Sequence, residues 1–241
     1  MIDPTLPRCA WATANDPTMQ AYHDTEWGVP EHDDTKLFEM LTLEGAQAGL
    51  SWRSVLMRRD AYREAYHGFD IPRVAAMTDA ELEALIAGSG LIRNRLKIYS
   101  VRENAKAVLA LPGSLDAFLW SLSPYAMRRD GGEADARDQA PSPKIVMAGA
   151  GPPPTTCGAE LDEVVGGGPA PAMTEKQGHR TLINRWTHPS QVPATTPESD
   201  RMSKTLRKAG FRFVGSTICY AFMQATGMVD DHLTTCFRHR P

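Results

Sequence analysis

The sequence predicts an all-α fold, and three observations lead to this prediction. Apolar residues recur every three or four positions in several segments, which is the spacing of one helix face. Residues that cap or end helices flank these segments. No run shows the strict alternation of apolar and polar residues that is typical of a half-buried strand. We therefore expect a domain of packed helices.

The first long helix is expected to begin near Asp34, whose side chain suits an N-cap. At a period of 3.6 residues, Leu37, Leu41, Glu44 and Ala48 share one face. A carboxylate on an apolar face is costly to bury unless a cation or hydrogen-bond donors meet it. Glu44 is therefore either half of a buried ion pair with an arginine or a functional group in a pocket.

The residues that follow Glu44 favour the pocket. Gly49 ends the helix and leaves Leu50 with a bare apolar side chain, and Trp52 follows at once. A carboxylate, an apolar wedge and an aromatic plate within nine residues suit a pocket for a flat, electron-poor ring. A core helix whose Glu44 pairs with an arginine would explain the same residues, because structural ion pairs also bury carboxylates.

Further helices are expected along the first half of the chain. Residues 78–81 have the pattern of a capping box before a helix that ends at Gly88. Residues 94–111 carry apolar side chains at helical spacing. The Pro-Gly pair at 112–113 interrupts this pattern, and residues 115–122 resume it.

The composition limits the classes of protein to consider. The net charge of −3 gives no overall basic signature, so binding to a polyanion would depend on local positive charge. No opening signal sequence and no apolar run of about 18 residues is visible, which predicts no membrane span. The four cysteines are too unevenly placed for a disulfide framework, so we expect a reduced, cytoplasmic protein.

Glycine and proline concentrate between about residues 127 and 185. At this density they prevent regular packing, so we expect a flexible insertion rather than a second domain. Residues 1–126 and 186–241 would then form one helical domain. A partner-binding tail is the alternative interpretation of the insertion.

Four residues near the two ends of the chain are of the types that ligate zinc, namely Cys9, His23, His232 and Cys236. If residues 232–236 are helical, the last two ligands share a face and can hold one ion. The set would then be a closed tetrahedral site of structural type that ties the chain ends together. Buried thiols and surface histidines are the alternative, because the spacing of the first two is not that of a standard zinc finger.

Residues 199–225 have the layout of a helix-hairpin-helix DNA-binding element, with a basic helix, a turn bounded by Gly210 and Gly215, and an apolar helix from Ser216. Gly215 lets the backbone approach a phosphate, and the amides at the start of the next helix point at that anion. The local positive charge would come from Lys204, Arg207, Lys208 and Arg212. An ordinary helical hairpin with a solvated basic face is the alternative.

Taken together, these segments closely resemble the DNA-3-methyladenine glycosylase I family. The matching motifs are Cys9-Ala10-Trp11, Tyr22-His23-Asp24, Glu26-Trp27-Gly28, Leu43-Glu44-Gly45, residues 47–52, residues 210–220, and the pair His232 and Cys236. They span nearly all of the chain except the insertion, and several are long enough to be specific. The resemblance implies the all-α fold of the helix-hairpin-helix DNA glycosylase superfamily and an enzyme of base-excision repair.

The resemblance also implies roles for individual residues. Glu44 would hydrogen-bond the excised base, Tyr22 and Trp52 would stack against it, and Trp11 would form part of the pocket wall. The implied ligands of a structural zinc ion are Cys9, His23, His232 and Cys236. The implied DNA contacts are Gly49 and Leu50, pressed into the gap in the duplex. From the hairpin layout we also expect DNA contacts at Lys208, Gly210, Arg212, Gly215 and Ser216.

The implied reaction is the hydrolytic release of 3-methyladenine, flipped out of double-stranded alkylated DNA, by a monomeric enzyme. The lesion carries a delocalised positive charge, which favours aromatic faces and a desolvated carboxylate. No lysine directly follows the hairpin glycines, so we expect no strand-cleaving lyase step. For Asp230 and Asp231 we favour helix capping or support of His232 over a direct role in catalysis.

Two other functions fit parts of the pattern. A non-catalytic helix-hairpin-helix module would keep the hairpin and the zinc ligands but would not need Glu44 and Trp52 in one pocket. A glycosylase with a broader range of damaged bases would share all of these residues and differ in the size of its pocket.

Overall fold

The structure, a computed structural model, describes residues 5–12, 16–88, 90–130 and 180–240, and it confirms the predicted all-α class. The α-helices of these residues are α1 (Pro17–Thr25), α2 (Asp34–Gln47), α3 (Trp52–Leu56), α4 (Arg59–Ala65), α5 (Ile71–Ala75), α6 (Asp79–Gly88), α7 (Arg95–Leu109), α8 (Leu115–Ser121), α9 (Pro124–Asp130), α10 (Pro197–Lys208) and α11 (Ser216–Ala225). Short 3-10 turns lie at Ala10–Ala12, His67–Phe69 and Pro189–Gln191.

Helix α2 lies at the centre of the core. Every residue from Leu37 to Ala46 is buried, and α3, α7, α8 and α11 all pack against this helix. A helix that is enclosed on all sides has no solvent face on which to place its polar residues. Two carboxylates of α2, those of Glu39 and Glu44, are therefore buried in the middle of the molecule.

The N-terminus of α2 differs by one residue from the prediction. Asp33, not Asp34, is the N-cap, and its carboxylate accepts a hydrogen bond from the Lys36 amide at 2.9 Å. Asp34 instead accepts the amides of Leu115 and Asp116, at 3.1 and 2.7 Å, so it ties the start of α8 to the start of α2. Two adjacent aspartates suit the cap equally well in sequence, and the position of α8 decides between them.

The predicted capping box before α6 is present. The amide and hydroxyl of Thr78 donate to the Glu81 carboxylate at 2.6 and 2.7 Å, and the Glu81 amide donates to the Thr78 hydroxyl. Helix α7 begins after Asn94, whose side chain accepts from the Lys97 amide. These local signals set the helix starts that the sequence predicted.

One short strand pair was not predicted. Strand β1 (Leu182–Ile183) pairs in parallel with β2 (Val229–Asp230). Two residues are too few to show an alternating pattern, so no strand signal is visible here. The pair fastens the chain that returns after residue 179 to the segment that follows α11.

Most of the predicted insertion, residues 131–179, lies outside the described residues. At its two ends the described chain is regular, because α9 continues to Asp130 and β1 begins at Leu182. Strand β1 and the last four residues of α9 fall inside the range 127–185 that the glycine and proline content marked out. Among the described helices, none combines the length and the apolar character needed to cross a membrane.

Candidate active site and metal cluster

Glu44 lies in the last turns of α2 and faces a cavity of about 540 Å³. The residue is only 3% exposed, and within the described chain its Oε2 atom has no hydrogen-bond partner. Burial raises the pKa of this carboxyl from 4.5 to about 8. A buried carboxylate without a partner is costly, and such groups are candidates for functional sites.

The ion pair with arginine that was the alternative explanation for Glu44 is formed instead by Glu39, earlier in the same helix. The Glu39 carboxylate accepts hydrogen bonds from Arg59 at 2.6 Å and from Arg63 at 2.8 Å. Arg59 also bonds to Glu26. The two buried acids of α2 thus differ sharply, since one is neutralised by two cations and the other faces a cavity.

Aromatic side chains form the walls of the cavity. The rings of Tyr22 and Trp52 lie 5.3 Å apart, and Trp11 lies 6.3 Å from Tyr22 and 5.1 Å from Trp27 between ring centroids. Burial, reinforced by the nearby charge of Glu44, raises the pKa of the Tyr22 phenol. The structure therefore brings all three sequence-predicted aromatic residues to one cavity with Glu44.

Trp27 is a wall residue to which the sequence analysis gave no role. It lies in the motif Glu26-Trp27-Gly28, and it links the cavity to the histidines behind it. Its ring stacks on His23 at 6.2 Å and meets the ring of His232 edge-on at 4.6 Å. Its position directly before Gly28, within a recognised motif, was the signal that could have identified it.

Asp231 also lines the cavity, but it does not support His232 as predicted. Its carboxylate accepts four hydrogen bonds, which come from Asn184, Trp186, Tyr220 and Gln224 at 2.6–2.7 Å. Asp230 accepts the His232 backbone amide and pairs with Arg240. In the part of the chain that the structure describes, neither aspartate caps a helix or contacts the His232 ring, because both follow α11 in or beside the strand β2.

The four predicted metal ligands, Cys9, His23, His232 and Cys236, come together in one buried cluster. Their ligand atoms all lie within 4.8 Å of one another. The Cys236 sulfur lies 3.4 Å from His23 Nε2 and 3.6 Å from His232 Nδ1, and the Cys9 sulfur lies 3.7 Å from His232 Nδ1. Tetrahedral zinc, with bonds of about 2.3 Å to sulfur and 2.0–2.1 Å to nitrogen, places such atoms about 3.6 Å apart.

The chemistry of the four groups also fits a cation. A hydrogen bond from Cys9 lowers the pKa of the Cys236 thiol, and the same contact raises the pKa of Cys9. Binding of a cation to both sulfurs would release their protons. Two thiolates and two neutral imidazoles form a donor set of the structural zinc type.

Neighbouring groups orient the two histidines. His23 Nδ1 lies 2.8 Å from the Asp24 carboxylate, which Arg8 holds through a salt bridge of 2.7 Å. His232 Nε2 lies 3.2 Å from the Trp27 carbonyl. Each imidazole thus has one nitrogen bound to the protein and the other directed at the cluster, as in known metal sites.

Residues 232–236 are not helical, in contrast to the prediction. They form a turn in which the Cys236 amide donates to the Leu233 carbonyl at 2.7 Å. The four-residue spacing still brings the two ligands together, because a turn also folds the chain back on itself.

The predicted wedge lies at the C-terminal end of α2. Gly49 has a φ angle of +78°, which glycine adopts without strain, and Leu50 is 43% exposed. An exposed leucine on a tight turn beside the cavity mouth is suited to insert between bases.

The predicted hairpin is the turn at 209–215 between α10 and α11, which pack against each other. Lys208 and Arg212 are exposed, and Gly210 has a φ of +96°. Gly215 precedes α11, and no side chain of the described residues caps the first amides of that helix. The hydroxyl of Ser216 is bonded to Ser199 at 2.7 Å, so its backbone amide is the group that remains for a ligand.

Gly215 is not required to be glycine by the protein itself. Its φ of −66° is accessible to any residue, and an added Cβ would only reach ordinary contact with Arg207 at 3.8 Å. The fold itself therefore leaves room for a side chain at this position.

Comparison with known proteins places this geometry in context. A sequence profile of the family described as methyladenine glycosylase matches residues 11–144 and 170–239. The chain is 37% identical over 234 residues to DNA-3-methyladenine glycosylase 1 of Escherichia coli (strain K12), with 96% of each chain covered. It is 36% identical over 232 residues to DNA-3-methyladenine glycosylase of Haemophilus influenzae, which covers 95% of this chain and 96% of the relative. A crystal structure of a 3-methyladenine DNA glycosylase I has a TM-score of 0.72 at 38% identity, and it covers 97% of this chain and 100% of that one.

Proposed function

The chain belongs to the methyladenine glycosylase family and acts as a DNA-3-methyladenine glycosylase, and we propose that Glu44 and the aromatic residues around it recognise the damaged base. The observation that carries this proposal is the Glu44 carboxyl group, which is buried, faces an aromatic cavity and has an oxygen without a hydrogen-bond partner among the described residues. A non-catalytic DNA-binding module has no use for such a group.

The charge of the lesion explains the arrangement. Adenine methylated at N3 in DNA is a cation, and it enters the cavity only after leaving the base stack. There Trp52 and Tyr22 offer electron-rich faces, which are worth ~0.5–2 kcal/mol to a cation. The Glu44 carboxylate supplies the opposite charge in a desolvated site, where the attraction is stronger than in water. Normal bases are neutral, so they provide no charge attraction to offset the free energy needed to ionise Glu44.

The chemistry then requires little acid catalysis. When the bond between the sugar carbon and the base nitrogen breaks, its electron pair moves to the ring, and the base departs neutral. Water adds to the sugar carbon and loses a proton. The described residues that line the cavity include no lysine, which supports a hydrolytic, monofunctional reaction without a Schiff base.

The DNA contacts are proposed at two places on the molecule. Leu50, next to Gly49, enters the space that the flipped nucleotide leaves in double-stranded DNA. The amides at the start of α11 bind a backbone phosphate, with Gly215 and Ser216 closest and Gly210 shaping the turn. Two exposed cations, Lys208 just before this turn and Arg212 within it, add local positive charge to an acidic chain.

The metal cluster is proposed to bind one zinc ion as a structural element. With four protein ligands the ion would have no open position, so it supplies cross-linking of the two chain ends and no reactive group. His23 and His232 contact Trp27, so the cluster supports one wall of the cavity. We further propose that the enzyme works as a monomer in the cytoplasm, where its cysteines stay reduced; Cys9, Cys219 and Cys236 are free thiols in the structure.

The pH dependence of excision tests the role of Glu44. In the free enzyme its pKa is about 8, so the carboxyl is mostly protonated at pH 6. Because the cationic lesion needs the carboxylate, kcat/KM on methylated duplex DNA should rise about tenfold per pH unit toward a plateau near pH 8. The Glu44→Gln variant should show a flat profile over the same range. A wild-type profile that is level from pH 6 to 8 would contradict the assignment.

A substitution at Gly215 tests the hairpin contact. Gly215→Ala adds a methyl group where the protein has room for it, so the melting temperature should stay within a few degrees of wild type. The same methyl group should block the close approach of a phosphate and weaken binding to duplex DNA about tenfold or more, the equivalent of one lost charge-assisted hydrogen bond of ~1.5 kcal/mol. Gly113→Ala, also in open space but far along the chain, is the matched control. Equal DNA affinity for both variants would exclude the contact.

A further inference from the structure

Lys97, in the first turn of α7, holds the end of α2. Its ammonium group donates to the Ala46 carbonyl at 2.9 Å and to the Ala48 carbonyl at 2.6 Å. Carbonyls in the last turn of a helix lack partners within the helix, and a cation there also meets the negative end of the helix dipole. Lys97 therefore fixes the point at which the chain leaves α2 and turns into Gly49 and Leu50.

Asn104, two turns further along α7, holds the hairpin. Its side-chain amide donates to the Arg212 carbonyl at 3.2 Å, and its oxygen accepts the Arg212 amide at 2.7 Å. This residue is buried, and its two bonds hold the backbone of Arg212 at both its amide and its carbonyl group. The next residue, Phe213, has a φ of +54°, a conformation that a bulky side chain adopts only when its surroundings impose it.

Helix α7 thus connects the two parts of the molecule that are proposed to contact DNA. Residues seven positions apart lie on the same face of an α-helix and are separated by about 10.5 Å along its axis. Neither Lys97 nor Asn104 lines the cavity that contains Glu44. Their bonds go to backbone atoms of α2 and of the hairpin turn, so they determine the positions of those segments.

We propose that Lys97 and Asn104 are positioning residues that set the distance between the Gly49–Leu50 wedge and the hairpin at 209–215, so that both meet one DNA duplex. This inference rests on the proposed function, in which these two segments contact DNA. Loss of either residue should impair the excision of a base from a duplex, because both segments must engage at once. Recognition of a free base in the cavity should be unaffected.

The test compares Lys97→Met with Lys106→Met. Lys106 lies on the same helix, is exposed and pairs only with Glu103 among the contacts described, so its replacement removes the same charge without touching α2. We expect Lys97→Met to lower kcat/KM on methylated duplex DNA by about tenfold to a hundredfold, as a displacement of about 1 Å can do. The affinity for free 3-methyladenine should stay within about twofold of wild type.

Two further measurements distinguish positioning from other roles. Lys97→Arg should restore most of the activity, because a guanidinium can also donate to two carbonyls. The slope of log Kd for duplex DNA against log salt should be the same in Lys97→Met and wild type, whereas a direct phosphate contact would lower it by about one. Asn104→Ala should reproduce the loss of activity on duplex DNA. In the variant with both substitutions the second one should have a smaller effect, because the first already displaces one of the two DNA-contacting segments.

The outcomes separate this inference from the proposed function. If Lys97→Met binds methylated duplex DNA and releases the base from it like Lys106→Met, or if it loses affinity for the free base to the same degree as for DNA, the inference is wrong. A reduced salt slope would also overturn it in favour of a phosphate contact. A wild-type protein that binds methylated duplex but releases no base would instead contradict the proposed function, while the comparison of duplex affinities would still decide the role of Lys97.

Discussion

Replacing Glu44 by glutamine is expected to abolish most base excision while making the fold more stable. Glutamine keeps the size of the side chain but cannot carry the negative charge that meets the cationic base. Loss of one preorganised electrostatic group typically costs about a hundredfold to a thousandfold in rate. The measurement is release of 3-methyladenine from methylated duplex DNA, with Glu64→Gln, an exposed acid on α4, as the control.

The stability of the same variant provides a second, independent readout. The pKa of Glu44 is raised from 4.5 to about 8 in the folded protein. A raised acid pKa makes unfolding easier as the pH rises from about 4.5 to about 8, because the unfolded chain gives up its proton first. Glu44→Gln should therefore melt at a higher temperature than wild type at pH 8, and the difference should shrink toward pH 5. Full excision activity, or a lower melting temperature at pH 8, would contradict the role of Glu44.

Removing one ligand of the metal cluster is expected to cost both metal and stability. In Cys236→Ser the cluster loses a thiolate, so bound zinc should fall from one ion per chain to near none, and the melting temperature should drop by roughly ten degrees or more. The free energy of metal binding is then no longer available to hold the chain ends together. Base binding should weaken as well, because Trp27 and the two histidines form one packed group beside the cavity.

The control for this experiment is Cys219→Ser. Cys219 is a buried thiol outside the cluster that donates to the Val214 carbonyl, a bond that serine can keep. Elemental analysis and thermal melting of the two variants in parallel should show metal loss only for Cys236→Ser. If Cys236→Ser retains zinc, or if its melting temperature equals that of Cys219→Ser, the four residues do not form a structural metal site.

Much of the fold follows from local signals in the sequence. The capping box at Thr78 and the apolar spacing of α7 set helix boundaries through contacts within a few residues, so they are visible without the tertiary structure. The burial of Glu44 was also predictable, because the residues one and two turns away on its face are apolar. The strand pair β1 and β2 was not, since a two-residue strand has no pattern and depends on segments far apart in the chain.

The partners of the site residues cannot be predicted from local sequence patterns. Glu39 and Glu44 are both acids on the same helix, and only the placement of α4 decides that Arg59 and Arg63 reach Glu39. The packing also decides that an aspartate, Asp24, contacts the ring of His23, whereas no later aspartate among the described residues contacts the ring of His232. Lys97 gave no signal at all, because the carbonyls that it binds lie about fifty positions earlier in the chain.

Glu44 is proposed to be a buried acid that ionises when a cationic ring binds, and the titration of Glu44 tests this most directly. The carboxyl carbon of Glu44 can be followed by NMR in the free enzyme and with 3,9-dimethyladenine, which keeps the charge of the lesion and has no sugar to lose. We expect a pKa near 8 in the free enzyme, a clear decrease with the cation, and no decrease with neutral 9-methyladenine. A free-enzyme pKa near 4.5, or the same value with both ligands, would contradict the account.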